Sequence, residues 1–287
     1  MNRINQQTTE ETSLENKFKE WRQILTDSND PTRLESNGAW ASMLVLLRNL
    51  FRYHLYEDLY IKSSIPINPI IKRAFRDNYV DAQSIAIRRM FSTSSEPDKQ
   101  DNSLAKLWSE ISQQTFDQEV LCSIYMSYNT NNLKTSPNME DIMKNQANSY
   151  INQVINPRNN KIKNRRKINK ILQLSKNEEA KYIYDKTNKG IAHAAQNSKI
   201  KTLKEKKNDY IELLKDTTIQ LYKAYEALRF FVLFNTSTTT YIESAIDNDL
   251  TNYPLPTEDI NITKNCWEKF RKQINEWESE GKELLKT

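Results

Sequence analysis

Glycine is scarce in this chain: only Gly38, Gly190 and Gly281 occur among its 287 residues. Proteins average roughly 7% glycine, and phosphate-binding loops and tight turns between strands rely on it. Three glycines so widely separated cannot form a dinucleotide-binding fingerprint or a P-loop. The scarcity also argues against sandwiches and barrels, and it favours long helices joined by short polar connections.

Cysteine and histidine are nearly as rare. The chain contains Cys122, Cys266, His54 and His193, and none of them has the spacing of zinc ligands. We therefore expect no metal site and no cofactor. Two isolated cysteines also fit a reducing compartment, so a cytoplasmic location is predicted.

Long apolar runs are missing as well. The opening residues, MNRINQQTTEETS, have no apolar core of the kind that a signal peptide needs. The most apolar stretch, residues 39–51, is interrupted by Arg48 and Asn49 and is too short to span a bilayer. Neither a signal peptide nor a membrane partner is expected.

Apolar residues recur at helical intervals through most of the chain. Thr12 and Glu15 have the spacing of a capping box, and Asn68–Pro69 and Ser103 are typical helix starts. The longer predicted helices cover about 12–29, 37–63, 68–91, 139–156, 160–185 and 199–235. A loop over 236–261 then precedes a last amphipathic helix, whose apolar side chains are Trp267, Phe270, Ile274 and Trp277.

This pattern predicts an all-α protein with five or more long helices and at most a stray pair of strands. We divide it into an N-terminal helix that packs on the bundle (residues 1–36), a helical bundle (37–235), and a loop with an additional C-terminal helix (236–287). No internal repeat or sharp domain boundary is visible.

Positive charge is concentrated in one region. Residues 142–207 hold 17 Lys and Arg against 4 Asp and Glu, a balance of +13, whereas the whole chain carries +5. Contact with nucleic-acid phosphates requires such a patch, although a solvated surface is the alternative. The residues expected to contact RNA are Arg158, Arg165, Arg166, Lys167, Lys189 and Lys204.

The predicted helix over 68–91 has a polar face. Asp77, Asp81, Ser84 and Arg88 recur at helical spacing, and Arg89 follows. On an exposed helix, this face is simply solvated. If it lines an internal cleft, Arg88 or Arg89 can bind a phosphate, because the planar guanidinium donates paired hydrogen bonds.

His193 is the candidate acid or base. The pKa of histidine lies nearest neutrality among the side chains, and this one falls within the basic region, three residues after Gly190. A solvated histidine in a loop between basic helices is the alternative. His54 flanks the apolar stripe of its helix and is expected to pack at the edge of the core.

Three segments resemble HEPN proteins (higher eukaryotes and prokaryotes nucleotide-binding), in particular the abortive-infection type of bacterial phage defence. They are YVDAQSIAIRRMF at 79–91, SLAKLWSEI at 103–111 and NKGIAH at 188–193. The resemblance covers roughly residues 37–235 and implies an HEPN-like helical bundle. Many HEPN proteins are metal-independent RNases, and they form dimers in which the two active-site motifs meet. A homodimer, RNA and a protein partner of a defence system are thus the implied partners.

The HEPN signature is an Arg, usually followed by a polar residue, with a His four to six residues beyond the Arg. His193 matches the His and Asn188 the polar residue, whereas Thr187 stands at the Arg position. The resemblance implies RNA cleavage by the substrate's own 2′-OH, with His193 as acid or base and a nearby cation stabilising the phosphorane. The implied catalytic residues are His193, Lys186, Asn188, Arg88, Arg89 and Asp81.

Two other functions stay open. Thr187 favours a catalytically silent HEPN-like module that binds RNA or a protein partner, because threonine cannot supply the charge of the signature Arg. A helical structural protein, in which the basic region serves solubility alone, is the third possibility.

Overall fold

The computed structural model of the protein describes residues 2–26, 39–61, 68–91, 103–130, 137–192, 207–234 and 257–286. Within these ranges the backbone is almost entirely helical, which confirms the all-α prediction. The α-helices are α1 (Asn2–Thr26), α2 (Ala39–Tyr56), α3 (Pro69–Met90), α4 (Leu104–Gln113), α5 (Gln118–Thr130), α6 (Pro137–Val154), α7 (Arg165–Leu172), α8 (Glu178–Ala192), α9 (Lys207–Val232) and α10 (Thr257–Lys286).

Two short elements interrupt this helical pattern. A π-helical segment, Glu57–Ile61, continues α2. Strands β1 (Ile155–Asn156) and β2 (Lys161–Ile162) pair antiparallel between α6 and α7, with Ile155 opposite Ile162. The prediction of at most a stray pair of strands is therefore confirmed for the described residues.

Helix α9 lies at the centre of the molecule. All residues from Ala224 to Phe234 are buried, so this part of the helix meets other elements in every direction. Helices α1, α2, α3, α7, α8 and α10 pack against it. The buried apolar residues form one core, which includes side chains of α1 and of α10.

The C-terminal end of α9 is fastened by side chains from two other helices. The Tyr150 hydroxyl of α6 lies 3.0 Å from the carbonyl oxygen of Phe230 and 2.9 Å from that of Phe231, and it donates to them. Arg22 of α1 donates from Nε to the carbonyl oxygen of Val232 at 3.3 Å. The last carbonyls of a helix have no partner within it, so these donors stabilise the end of α9.

A cluster of buried charges joins α9 to α10. The Arg229 guanidinium donates from Nε to Glu226 at 2.8 Å and from Nη2 to Glu278 at 3.2 Å. Lys282 Nζ donates to the same Glu278 carboxylate at 2.6 Å. Two positive and two negative side chains therefore balance each other in the interior, as buried charges must.

Gly281 lets α10 approach α9 closely at this cluster. A Cβ atom at position 281 would lie 2.6 Å from the carbonyl oxygen of Lys223 and 2.7 Å from Cβ of Glu226. Both contacts are shorter than real Cβ atoms show, and the first is to backbone that cannot rotate away. Only glycine fits this crossing without a shift of one helix.

Two helix predictions were wrong in their bounds. Helix α1 begins at Asn2, so Thr12 and Glu15 lie inside it; neither Pro nor Gly interrupts residues 2–26. The predicted helix over 160–185 is instead the β1–β2 hairpin, α7, a turn and α8. The predicted loop over 236–261 overlaps α10, which begins at Thr257, and residues 236–256 lie outside the described ranges.

Asparagine side chains explain the broken helix. Asn156 Oδ1 accepts from the backbone N–H of Arg158 at 2.9 Å, and Asn160 and Asn164 have φ of 51° and 52°. Asn177 Oδ1 accepts from the Ala180 N–H at 2.9 Å and so caps α8. Asparagine tolerates left-handed backbone and competes with helical hydrogen bonds, so these residues turn the chain where apolar spacing alone predicts a helix.

We predict that Gly281→Ala lowers the free energy of unfolding by about 1–3 kcal/mol, because the added methyl overpacks the α9–α10 crossing. At an ordinary helical position the same change stabilises by about 0.5–1 kcal/mol. Urea unfolding followed by circular dichroism measures the difference. The control Ser279→Ala, at an exposed position of the same helix, shifts stability by less than about 0.5 kcal/mol. A stabilised Gly281→Ala protein would contradict the close crossing.

Candidate functional site

A buried polar contact joins α3 to the start of α9. The Ser84 hydroxyl of α3 donates to the carbonyl oxygen of Val80 at 2.6 Å, and the Tyr210 hydroxyl of α9 lies 3.0 Å from Ser84 Oγ. Because the one hydroxyl hydrogen of Ser84 is used on Val80, Tyr210 is the donor in this pair. We call the place where α3, α8 and α9 meet around Tyr210 the polar junction.

Helix α8 brings Lys186 to the polar junction. Lys186 Nζ lies 3.2 Å from the centroid of the Tyr210 ring, a cation–π contact, and the Tyr182 ring lies 6.1 Å away, nearly perpendicular to that of Tyr210. Burial raises the pKa of the Tyr210 hydroxyl, and the negative charge of Asp81 adds to this effect. A tyrosine hydroxyl has an ordinary pKa of about 10, so it is protonated near neutral pH and can donate to Ser84.

Position 187, where the HEPN signature has Arg, carries a buried threonine. Thr187 Oγ1 donates to the carbonyl oxygen of Ile183 at 2.7 Å, within the same helix. Asn188 follows it, half-buried, in the last part of α8. The side chain next to position 187 that carries positive charge at the junction is therefore Lys186.

The remaining predicted catalytic residues are only partly gathered by the fold. Asp81 and Arg89 are exposed on α3, and Arg88 is half-buried. His193 follows α8 directly and lies outside the described residues, so its distance from Arg88, Arg89 or Lys186 stays a prediction. Lys204 and the side chain of Lys189 also lie outside what the structure describes.

The polar face predicted for α3 is divided between interior and solvent. Ser84 enters the polar junction, whereas Asp77 forms an exposed pair with Arg73 at 3.5 Å. The buried residue beside Ser84 is Gln83, whose Nε2 donates to the carbonyl oxygen of Leu46 at 3.2 Å and to Thr218 Oγ1 at 2.6 Å. Sequence spacing missed Gln83 because a lone amide among apolar residues does not reveal its partners on α2 and α9.

A second cluster of charges was also missed by sequence reasoning. Lys215 of α9 is 8% exposed, and its Nζ donates to both carboxylate oxygens of Glu57, at 3.2 and 3.1 Å, and to Glu212 at 3.0 Å. Nδ1 of His54 lies 3.7 Å from the same Glu57 carboxylate. Burial, with the charge of Glu57, raises the pKa of Tyr53 to about 12. The available signal was weak, because Lys215 is flanked by Glu212 and Asp216 and does not stand out as a buried lysine.

Four of the six residues predicted to bind RNA lie on the β1–β2 hairpin and α7. Four exposed side chains, which we call the basic face, are Arg158, Arg166, Lys167 and Lys170. Arg165 is half-buried and lies beside them. Four of the six predicted RNA contacts, Arg158, Arg165, Arg166 and Lys167, therefore lie within ten consecutive residues.

The basic face is held by its apolar underside. Ile168, Ile171 and Leu172 of α7 are buried against α4, α9 and α10, and Trp108 Nε1 donates to Asn169 Oδ1 at 2.7 Å. The hairpin turn is tied down as well, since the backbone N–H of Phe116 donates to the carbonyl oxygen of Asn160 at 2.7 Å. The basic side chains thus extend from a backbone with a defined position.

No acidic residue lies near the basic face along the chain. Residues 142–177 contain nine Lys and Arg and no Asp or Glu. Positive charges that follow one another closely along the chain favour a positive potential, and such a potential attracts polyanions. The structure describes this stretch completely, and it carries nine positive side chains and no negative one.

In the described ranges, no group of three or more His, Cys, Asp or Glu side chains is arranged to hold a metal ion. None of the described helices is long and apolar enough to cross a membrane. Comparisons with protein-family models, with curated proteins and with solved structures found no match. The HEPN resemblance therefore rests on the three short segments quoted above.

We predict energetic coupling between Ser84 and Tyr210. Ser84→Ala leaves the buried Tyr210 hydroxyl without its acceptor and costs about 1–3 kcal/mol, whereas Tyr210→Phe removes a neutral hydrogen bond worth about 0.5–1.5 kcal/mol. The double variant loses about 1 kcal/mol less than the sum of the two. Urea unfolding measures the cycle. As a control, Ser112→Ala on α4 combined with Tyr210→Phe should give additive losses of stability. Additive losses for Ser84→Ala and Tyr210→Phe as well would contradict a hydrogen bond between these two residues.

Proposed function

We propose that this protein binds RNA through the basic face. The proposal rests on residues 142–177, which include nine basic residues and no acidic one. Four of these basic side chains, on the hairpin and α7, are exposed. Lys and Arg that neutralise phosphates release condensed counterions, and this release drives the association. Arg158 and Arg166 add paired hydrogen bonds to phosphate oxygens.

The fixed backbone beneath the basic face supports the same proposal. A surface whose underside is packed in the core loses less conformational freedom on binding than a loop does. Buried Ile168 and Ile171 and the hydrogen bond between Trp108 and Asn169 provide that packing.

The HEPN resemblance adds a second part to the proposal, metal-independent RNA cleavage in bacterial phage defence. His193 is then the acid or base, and Lys186 provides positive charge beside it. The position of Lys186 on the Tyr210 ring, seven residues before His193, supports this role. The buried, uncharged Thr187 supports the alternative, a module that binds RNA or a protein partner without cleaving RNA.

We predict that RNA affinity falls steeply with salt, with a log–log slope of about −0.7 per phosphate contact on a single strand and about −0.9 on a duplex. The triple variant Arg158→Gln, Arg166→Gln, Lys170→Gln weakens binding and flattens this slope. The control Lys264→Gln, Lys269→Gln, Lys272→Gln removes three exposed charges from α10 and leaves the slope unchanged. Fluorescence anisotropy measures both. Equal losses in the two triple variants would show that the basic face is not the binding site.

Cleavage is tested on the same RNA by gel electrophoresis. If the protein is an RNase, products form in EDTA and disappear in His193→Ala, while anisotropy still reports binding because the basic face is intact. Lys186→Met then lowers the cleavage rate by about 10²-fold or more, the usual loss when one charge-stabilising group is removed. Binding without any cleavage by the unsubstituted protein would favour the silent module.

We also propose that the protein is a homodimer. Helix α3 has an exposed apolar stripe: Ile71 and Phe75 are 50% and 51% exposed, and Ile85 is 38% exposed. Ile71 and Ile85 lie at equal distances along the helix from Asn78, with Phe75 and Ala82 between them. An antiparallel second copy of α3 would therefore place Ile71 against Ile85, with Phe75 opposite the turn that contains Asp81 and the small Ala82. Such self-complementarity is what a two-fold interface needs.

Light scattering is predicted to give twice the monomer mass of 33.9 kDa. Phe75→Glu places a charge in the centre of the stripe and should yield monomers that keep the helical circular dichroism spectrum. The control Ile142→Glu changes an equally exposed apolar residue on α6 and leaves the dimer intact. A concentration-independent monomer of the unsubstituted protein would contradict the proposal.

A further inference from the structure

We infer that the RNA bound by the basic face is double-helical and is recognised through its phosphates rather than its bases. This inference rests on the proposed RNA binding and names its substrate class. Four features support it: the missing aromatic side chains, the density of positive charge, the fixed backbone of the hairpin and an exposed amide at the hairpin turn.

Aromatic side chains are absent from the stretch of chain that forms the basic face. Residues 151–181 contain no Phe, Trp, Tyr or His. Tyr150, which precedes them, is buried, and its hydroxyl donates to the carbonyl oxygens of Phe230 and Phe231. Proteins that bind single strands combine a basic groove with aromatic side chains on which unpaired bases stack. The basic face has only the charges.

A surface that offers only charges gains most from the ligand with the densest phosphates. A duplex carries two strands of phosphates along one axis, and each contact releases more counterions than on a single strand, with slopes of about −0.9 against −0.7. Four exposed cations within residues 158–170 therefore bind a duplex more tightly than an unstructured strand of equal length.

The fixed geometry of the hairpin favours a rigid ligand. The backbone N–H of Phe116 donates to the Asn160 carbonyl at 2.7 Å, and that of Lys163 donates to the Val154 carbonyl at 2.8 Å. Helix α7 follows directly and is anchored by its buried isoleucines. A flexible strand must lose its own freedom to match such an array, whereas a duplex is already ordered.

One exposed polar residue at the hairpin turn favours RNA over DNA. Asn159 Oδ1 accepts from the Lys161 N–H at 3.1 Å, so its side-chain amide nitrogen points away from this bond and can donate. The minor groove of A-form RNA is wide and shallow and displays 2′-hydroxyls that accept such donors. Duplex DNA has no hydroxyl at that position.

The test compares three probes of equal length by fluorescence anisotropy: a mixed-sequence RNA duplex of about 20 base pairs, a single-stranded oligouridine and a DNA duplex. Full-length His193→Ala is used so that cleavage does not complicate binding. The RNA duplex is expected to bind at least about tenfold tighter than oligouridine at equal salt, with a steeper salt slope. A second RNA duplex of scrambled sequence should bind within about threefold of the first, because phosphates carry no sequence information.

The possible results distinguish the preference for duplex RNA from the proposed RNA binding itself. Oligouridine that binds as tightly as the RNA duplex would overturn the duplex preference and leave RNA binding standing. A DNA duplex that binds as tightly as the RNA duplex would overturn the choice of RNA. If no probe shows salt-sensitive binding, the proposed function itself fails. Loss of duplex affinity in Arg158→Gln, Arg166→Gln, Lys170→Gln, but not in the α10 lysine variant, assigns the preference to the basic face.

Discussion

The charge cluster around Arg229 is the interaction on which the rest of the structure depends. Its guanidinium is 2% exposed between Glu226 of α9 and Glu278 of α10, at the point where Gly281 lets the two helices meet. A buried pair that loses one partner leaves an uncompensated charge and costs about 3–5 kcal/mol. The cluster therefore sets how α10 docks on α9 more strictly than apolar packing, which tolerates small shifts.

Helix α9 also contacts the elements that form both candidate sites. Near its N-terminal end, Tyr210 forms a hydrogen bond with Ser84 of α3 and a cation–π contact with Lys186 of α8. These contacts make up the polar junction. Along its length it supports α7, whose buried Ile168 and Ile171 fix the basic face. One helix thus supports both the basic face, where we propose RNA binding, and the polar junction that contains Lys186.

Local signals in the sequence were enough for part of this structure. The starts of α3 and α4 are confirmed, since Asn68 Oδ1 accepts from the Ile70 N–H at 2.9 Å and Ser103 Oγ from the Lys106 N–H at 3.1 Å. Caps are predictable because both partners lie within three residues. The basic region could also be predicted, because a charge count needs no tertiary information. The break of 160–185 could not, because apolar spacing continues through asparagines that turn the chain.

The contacts that define the candidate sites were beyond sequence reasoning. Lys215 and Glu57 form an ion pair although they are far apart in sequence. Glu57 begins the π-helical segment, and a π-helix does not follow the 3.6-residue period from which helices are predicted. In the same way, the contact of Lys186 with Tyr210 follows from the packing of α8 on α9. Side-chain chemistry suggested Lys186 as a substitute for the missing Arg, but only the fold shows which aromatic ring it meets.

Lysine acetylation with and without bound RNA duplex tests whether RNA binds at the basic face. We expect Lys161, Lys163, Lys167 and Lys170 to lose reactivity when RNA binds, because phosphates cover them. Lys264, Lys269 and Lys272, exposed on α10, keep theirs. Mass spectrometry of the acetylated peptides reports every site in one experiment. Protection of the α10 lysines with unchanged reactivity on the hairpin and α7 would contradict RNA binding at the basic face.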